Sequence, residues 1–163
     1  MKKHVLQVIL IVMGIFSLNF SSSNTCSVYK GTSSYNSDII CTLKDGKIYK
    51  KTSTYSSDVL VTISNGKIYK GTSTYSSDVL YTISDGKIYK GSSSYSSDVV
   101  CTIHDGKIYK GNSSYSSDII CNWKDEKVYR GTSSYSSDVL YTLSDVVTLS
   151  EFFAIWYVVN YVY

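Results

Sequence analysis

The sequence predicts a mainly β protein: a closed, ring-like array of antiparallel β-hairpin repeats with one C-terminal α-helix packed on it. Three observations carry this expectation. A 20-residue unit recurs without a gap from Val28 to Asp145. Asp-Gly or Asn-Gly stands at the junction of successive copies, the strongest short-range hairpin signal. After the last copy the text changes to an apolar stretch opened by a helix cap.

Composition sets the frame. The chain has 163 residues with 17 Tyr and no Pro, where average usage would give about eight Pro. A hydrophobic fraction of 43% with 18% charged residues excludes disorder by low hydrophobicity. The formal charge of +3 falls to +1 once Lys2 and Lys3 are set aside with the leader (16 − 2 = 14 basic against 13 acidic). That balance points away from nucleic acid.

Residues 1–23 read as a secretory signal peptide. Lys2, Lys3 and His4 form a positive start, Val5 to Phe16 an apolar stretch, and Ser21, Ser22 and Ser23 the small residues of a cleavage region. The apolar stretch is shorter than the ~20 residues that span a bilayer. The expected location is therefore secreted, periplasmic or cell-surface, with no transmembrane span in the mature chain. A lipoprotein processed at Cys26 is the less favoured alternative, because Ser23-Asn24-Thr25 and not an apolar lipobox precedes the Cys.

Residues 24–147 form the repeat domain. The clearest copy is KIYKGTSTYSSDVLYTISDG, Lys67 to Gly86. Tyr29, Tyr49, Tyr69, Tyr89, Tyr109 and Tyr129 hold one position; Tyr35, Tyr55, Tyr75, Tyr95, Tyr115 and Tyr135 hold another. Each copy contains a strand rich in β-branched and aromatic residues (Asp78 to Ser84) and a shorter one (Lys67 to Gly71). The turns Asp45-Gly46, Asn65-Gly66, Asp85-Gly86 and Asp105-Gly106 suit the positive φ of a type I′ turn. Asp125-Glu126 replaces that pair in the fifth turn, which is therefore expected to be looser or of another type. The pairing yields five intact hairpins, at 39–50, 59–70, 79–90, 99–110 and 119–130. Val28 to Gly31 and Val139 to Ser144 are left as single strands, and pairing them would close the ring. A closed ring is favoured over an open solenoid, since neither end carries a polar capping repeat.

The linkers are short, polar and centred on one Tyr. Asp38, Asp58, Asp78, Asp98, Asp118 and Asp138 follow them without exception. They read as acceptors for backbone N–H or Ser hydroxyl groups; a ring of Ca²⁺ ligands is the weaker alternative, with one carboxylate per copy. Lys50, Lys70, Lys90, Lys110 and Arg130 read as a solvated strand face, with an anion-binding face as the alternative.

Residues 148–163 close the chain. Thr148-Leu149-Ser150-Glu151 is a capping box, and 149–162 is expected to be helical and apolar nearly all round. Such a helix is buried, here covering or plugging the array. An EF-hand reading that ends at Glu151 fails because Leu140 would be its first ligand.

Cys41, Cys101 and Cys121 share a position that Val61, Tyr81 and Tyr141 fill elsewhere, so free buried thiols are expected, with Cys26 also outside the leader. A Cys101–Cys121 bridge is the alternative. No CxxC occurs and His104 is the single His beyond the leader, so no metal or cofactor is expected. Almost every polar residue exists in six copies, which argues against the unique constellation a catalytic site needs.

The run KIYKGTSTYSSDVLYTISDGKIYKG, with the closing TLSEFFAIWYVVNYVY, resembles the bacterial β-flower proteins, the four- and five-fold group. The resemblance covers nearly the whole chain beyond the leader. It implies a symmetric array of hairpin petals bearing the helix, in small exported proteins with no established activity and no catalytic residues to carry over. Five hairpins match a five-fold arrangement, and the terminal strands would make a sixth petal. The missing Gly at Glu126 and Lys51 puts strict symmetry in question.

The function expected is that of an exported, non-enzymatic structural or interaction protein, with a homo-oligomer allowed. The alternative is a carbohydrate- or cell-envelope-binding module. Its stacking residues would be Tyr35, Tyr55, Tyr75, Tyr95, Tyr115 and Tyr135, since aromatic faces stack on sugars and quaternary ammonium groups.

Overall fold

The computed structural model describes residues 25–163, so the signal-peptide reading of 1–23 lies outside the described residues. Twelve strands make the ring, six- and four-residue strands alternating through the five hairpins and five-residue strands forming the closing pair. The even-numbered strands are β2 (Ile39–Lys44), β4 (Val59–Ser64), β6 (Val79–Ser84), β8 (Val99–His104), β10 (Ile119–Lys124) and β12 (Val139–Leu143). The others are β1 (Cys26–Lys30), β3 (Lys47–Lys50), β5 (Lys67–Lys70), β7 (Lys87–Lys90), β9 (Lys107–Lys110) and β11 (Lys127–Arg130). All pair antiparallel with their sequence neighbours, and β1 pairs with β12 to close the barrel.

The closing pair is a sixth petal cut at its turn. Val28 faces Leu143, Tyr29 faces Thr142 and Lys30 faces Tyr141. In the first intact hairpin Ile48 faces Leu43, Tyr49 faces Thr42 and Lys50 faces Cys41. The register is the same, and only the covalent turn is missing. The ring is therefore six-fold, which corrects the four- or five-fold order that the resemblance implied.

The five intact hairpins keep two-residue turns. Asp45, Asn65, Asp85 and Asp105 have φ of 48–51°, each followed by a Gly at 68–72°. The fifth turn is a correction to expectation: Asp125 and Glu126 take φ of 51° and 63°, and Lys124 still faces Lys127. Neighbouring strands impose the left-handed geometry although Glu gains nothing from it. The Glu126 carbonyl accepts from the Leu143 N–H at 2.7 Å, as the Gly46 carbonyl does from Ile63 at 2.7 Å. Lys51 likewise takes φ 50° where the other copies have Gly at 54–61°. Both departures are absorbed without loss of the repeat geometry.

Alternation sorts the side chains. Val28, Ile48, Ile68, Ile88, Ile108 and Val128 point into the lumen and are fully buried. The following Tyr lies on the outer face, where Tyr49, Tyr69 and Tyr109 are 7–9% exposed. The linkers fold back over that face: the Thr42 hydroxyl donates to the Lys51 carbonyl at 2.7 Å, and Thr62, Thr82, Thr102 and Thr142 make the same bond to Gly71, Gly91, Gly111 and Gly31. At that position in the fifth copy the Asn122 amide donates to both the Gly131 and Ser133 carbonyls.

The lumen is filled by α1 (Leu149–Tyr161). Eight strands leave an interior that side chains alone fill, and roughly 16 leave an open channel. Twelve fall between, and a helix about 10–12 Å across supplies the missing matter. Phe152, Phe153, Ala154, Ile155 and Trp156 are buried in succession, so every side of the helix meets the core. Phe152 stacks on Trp123 with ring centroids 4.9 Å apart, and Phe153 meets Tyr81 edge-on at 5.3 Å. The predicted cap is present: the Thr148 N–H donates to Glu151 Oε2 at 2.7 Å, and the Glu151 N–H donates to Thr148 Oγ1 at 3.3 Å. No helix among the described residues is long and apolar enough to cross a membrane.

Candidate surfaces of the ring

The linker end of the barrel carries the features that recur outward. In the first linker the Ser33 hydroxyl donates to Asp38 Oδ2 at 2.6 Å and accepts from the Tyr35 N–H at 3.2 Å. The Asp38 N–H donates to the Tyr35 carbonyl at 2.9 Å. The same three bonds recur in all six linkers. They close a single 3₁₀ turn, such as Ser76–Asp78, and fix the Tyr before it at φ of −78° to −87° and ψ of 140–146°. The Asp row thus accepts Ser hydroxyl protons, the reading favoured from sequence. Among the described residues no three His, Cys, Asp or Glu side chains gather as a metal-holding group.

The consequence is a crown. Tyr35, Tyr55, Tyr75, Tyr95, Tyr115 and Tyr135 are each 74–76% exposed, in one backbone geometry. What sets the row apart is not the exposure of any one ring but its sixfold repetition in one geometry around the rim. Shallow concavities lie beside them, one of about 630 Å³ bounded by Lys70 to Tyr75 and Asp78, and one of about 560 Å³ bounded by Lys50 to Tyr55 and Asp58. Each joins a Tyr face to a Lys and several hydroxyl groups. The six candidate stacking residues stand in six different linkers, so the fold arrays them around a rim and does not gather them into one pocket.

A second ring lies inside the first. Lys30, Lys50, Lys70, Lys90, Lys110 and Arg130 sit opposite the lumen-facing residues Tyr141, Cys41, Val61, Tyr81, Cys101 and Cys121. Directly opposed residues share a face of a sheet, so all six cations border the mouth where α1 ends, and all six are exposed. Among the described residues none of the six pairs with a carboxylate; the one close contact between a basic and an acidic side chain is His104 Nδ1 to Asp105 Oδ2 at 3.1 Å, on the turn end. The cations also suit the negative end of the helix dipole. The row is solvent-exposed, as the sequence predicts for Lys50, Lys70, Lys90, Lys110 and Arg130, and its convergence on the mouth follows from strand register.

The cysteines are free and buried. Burial pushes the Cys41, Cys101 and Cys121 thiols up to about 12 and raises Cys26 in the same direction. Thiols held protonated in this way are poor nucleophiles. At the opposite end an open depression of about 690 Å³ lies over Trp123, between the Asp105-Gly106 and Asp125-Glu126 turns. It holds no repeated aromatic.

Among known proteins, residues 28–156 match the model of a family described as the 6-fold beta flower protein. No curated protein and no solved structure matches the chain. The match covers most of the chain and agrees with the six petals counted from strand register, and the chain belongs to that family.

Proposed function

From its place in the 6-fold β-flower family, we propose that this chain is an exported, non-enzymatic scaffold whose working surface is the tyrosine crown, and that the crown binds a glycan of the cell envelope. The family description names a fold and no reaction. The observation that carries the reading is the identical presentation of six Tyr at 74–76% exposure. Each ring offers a flat apolar face with a hydroxyl at its edge, the chemistry that meets the C–H faces of a sugar. The Lys, Thr and Ser groups of the neighbouring concavities supply donors for sugar hydroxyls.

Six weak sites on one rigid ring suit a polymer with a repeating unit. A second contact made while the first holds is an intramolecular event, and it multiplies affinity without any new chemistry. Export rests on the layout of residues 1–23.

The test is retention on a glycan array and on insoluble envelope polysaccharide, comparing the parent chain with Tyr75→Ala combined with Tyr95→Ala. Because the two side chains are exposed, the fold is expected to survive, which a thermal melt checks. Loss of two of six contacts should weaken retention at least about tenfold through lost avidity. Equal retention of the double variant would overturn the reading of this row, as would a parent chain that retains no glycan.

A further inference from the structure

The ring has six-fold walls but a single helix inside, so the helix cannot serve all six sectors alike. The backbone of α1 comes closest to β2 and β4, while its aromatic side chains reach Tyr81 of β6 and Trp123 of β10. On that side and its flanks Ile40, Leu60, Leu80 and Leu140 pack against the core. Their counterparts Val100 and Ile120 stay 39% and 37% exposed. Between them and the helix a crevice of about 300 Å³ opens beside the mouth.

We propose that this crevice is a binding site for one small aromatic monoanion, held with its ring between helix and barrel wall and its charge on Lys110. The volume lies at the lower end of small-molecule sites, which run from roughly 300 to 1,000 Å³. One wall is aromatic, from Tyr81, Phe153, Trp156 and Tyr161, and the other is aliphatic, from Val100 and Ile120. The Trp156 and Tyr161 rings meet edge to face at 5.5 Å, and Phe153 and Trp156 are tilted at 5.5 Å. Phe153 and Trp156 are nearly covered, so the accessible aromatic surface comes mainly from Tyr161 and Tyr81, and it favours an aromatic guest over a flexible chain.

The sign of the charge is fixed by Lys110. It lines the crevice, it is exposed, and among the described residues no carboxylate pairs with it. It stands opposite Cys101, whose neutral thiol also lines the crevice and offers no competing charge. The cations on either side along the rim, Lys90 and Arg130, add to a positive field at the mouth. An apolar slot with one cation at its lip matches a planar apolar body with one negative group. Among the described residues Val100 and Ile120 are the exposed members of their repeat position, which confines the site to this sector, apart from the tyrosine crown.

Isothermal titration of the full mature chain with 2-naphthoate tests this, with the uncharged 2-naphthamide as the control guest. One 2-naphthoate per chain is expected, and the amide should bind more weakly. Lys110→Gln should weaken 2-naphthoate about tenfold, the loss of one charge-assisted hydrogen bond, and leave the amide unchanged. Lys70→Gln, the same row on the side where the helix seals the wall, should leave both unchanged. Ile120→Trp should fill the slot and abolish binding of both guests; because Lys110 is exposed, the Lys110→Gln comparison stands even if the filled variant folds poorly. A parent chain that does not bind 2-naphthoate would overturn the proposal. So would equal effects of Lys110→Gln and Lys70→Gln.

Discussion

Removing one ring from the plug shows how much of the stability rests on it. Phe152 is fully buried, touches no solvent, and stacks on Trp123 at 4.9 Å with 23° between the planes. Phe152→Ala leaves a cavity between α1 and Trp123 of β10, which the close-packed surroundings can fill only in part. Truncations of this kind cost about 3–5 kcal/mol, and loss of the stacked pair puts this site in the upper half of that range. Leu149→Ala, in the same helix but 39% exposed, should cost about 1 kcal/mol or less. Guanidinium unfolding followed by far-ultraviolet circular dichroism measures both. Against a total of roughly 5–15 kcal/mol for a domain of this kind, the first variant stays folded but loses a large share of its margin. Trp123 reports separately, because its fluorescence should shift to the red when its stacking partner goes. If Phe152→Ala costs no more than Leu149→Ala, the helix is not seated in the lumen and the account of the core fails.

Two further outcomes follow from the same geometry. Glu126→Gly should stabilise the ring by about 1 kcal/mol and raise Tm by a few degrees, because a non-Gly residue at φ 63° is strained; the converse Gly86→Glu should be damaging, since its Cβ would stand 2.7 Å from the Ile103 carbonyl oxygen. Differential scanning calorimetry reads both, and an unchanged Tm for Glu126→Gly would contradict the turn assignment. Alkali should unfold the protein through its thiols. The unfolded chain ionises them near 9.0 and the native chain near 12, so their stabilisation is complete below about pH 9 and is lost as pH rises toward 12, at up to about 1.4 kcal/mol per pH unit for each group. Replacing Cys41, Cys101 and Cys121 together by Val, the residue already at position 61, should flatten the fall in unfolding free energy between pH 9 and 11. A triple variant that declines as steeply as the parent would rule the thiols out as its cause.

Sequence carried the petals because their signals are local. Asp45-Gly46 and its relatives demand a turn, and the strands on either side alternate, so five hairpins emerge at the observed bounds. The sixth depends on Val28 meeting Leu143 across the ring, which no local signal encodes, and a choice between five and six petals stayed open. Glu126 shows the reverse failure. Its own preference argues against a type I′ turn, yet bonds from the next petal hold it there.

The functional surfaces were less legible. Both Tyr rows repeat equally well in the sequence, and nothing in spacing says that Tyr49 is covered while Tyr55 stands free. That difference arises when the linker folds onto the outer face and the Ser53–Asp58 bond, 2.6 Å long, turns Tyr55 outward. The crevice at Val100 and Ile120 could not be read at all, since it comes from where one asymmetric helix comes to rest inside a symmetric wall.

The divided petal also sets an order of events during synthesis. Val28 and Leu143 are 115 positions apart (143 − 28), so β1 leaves the ribosome long before its partner exists. At about 5–20 residues per second the wait is roughly 6–23 s, far longer than the microseconds a hairpin takes to form. During that time every intact petal can assemble, while the outer edges of the first and the latest strand remain unpaired and able to join another nascent chain. Arrival of β12 seals both edges in a single step, and the apolar plug is made only after the strand that completes its container. A finished molecule without edges therefore passes through an edged one, and crowding of chains at that stage is the hazard that its manufacture, and not its native state, presents.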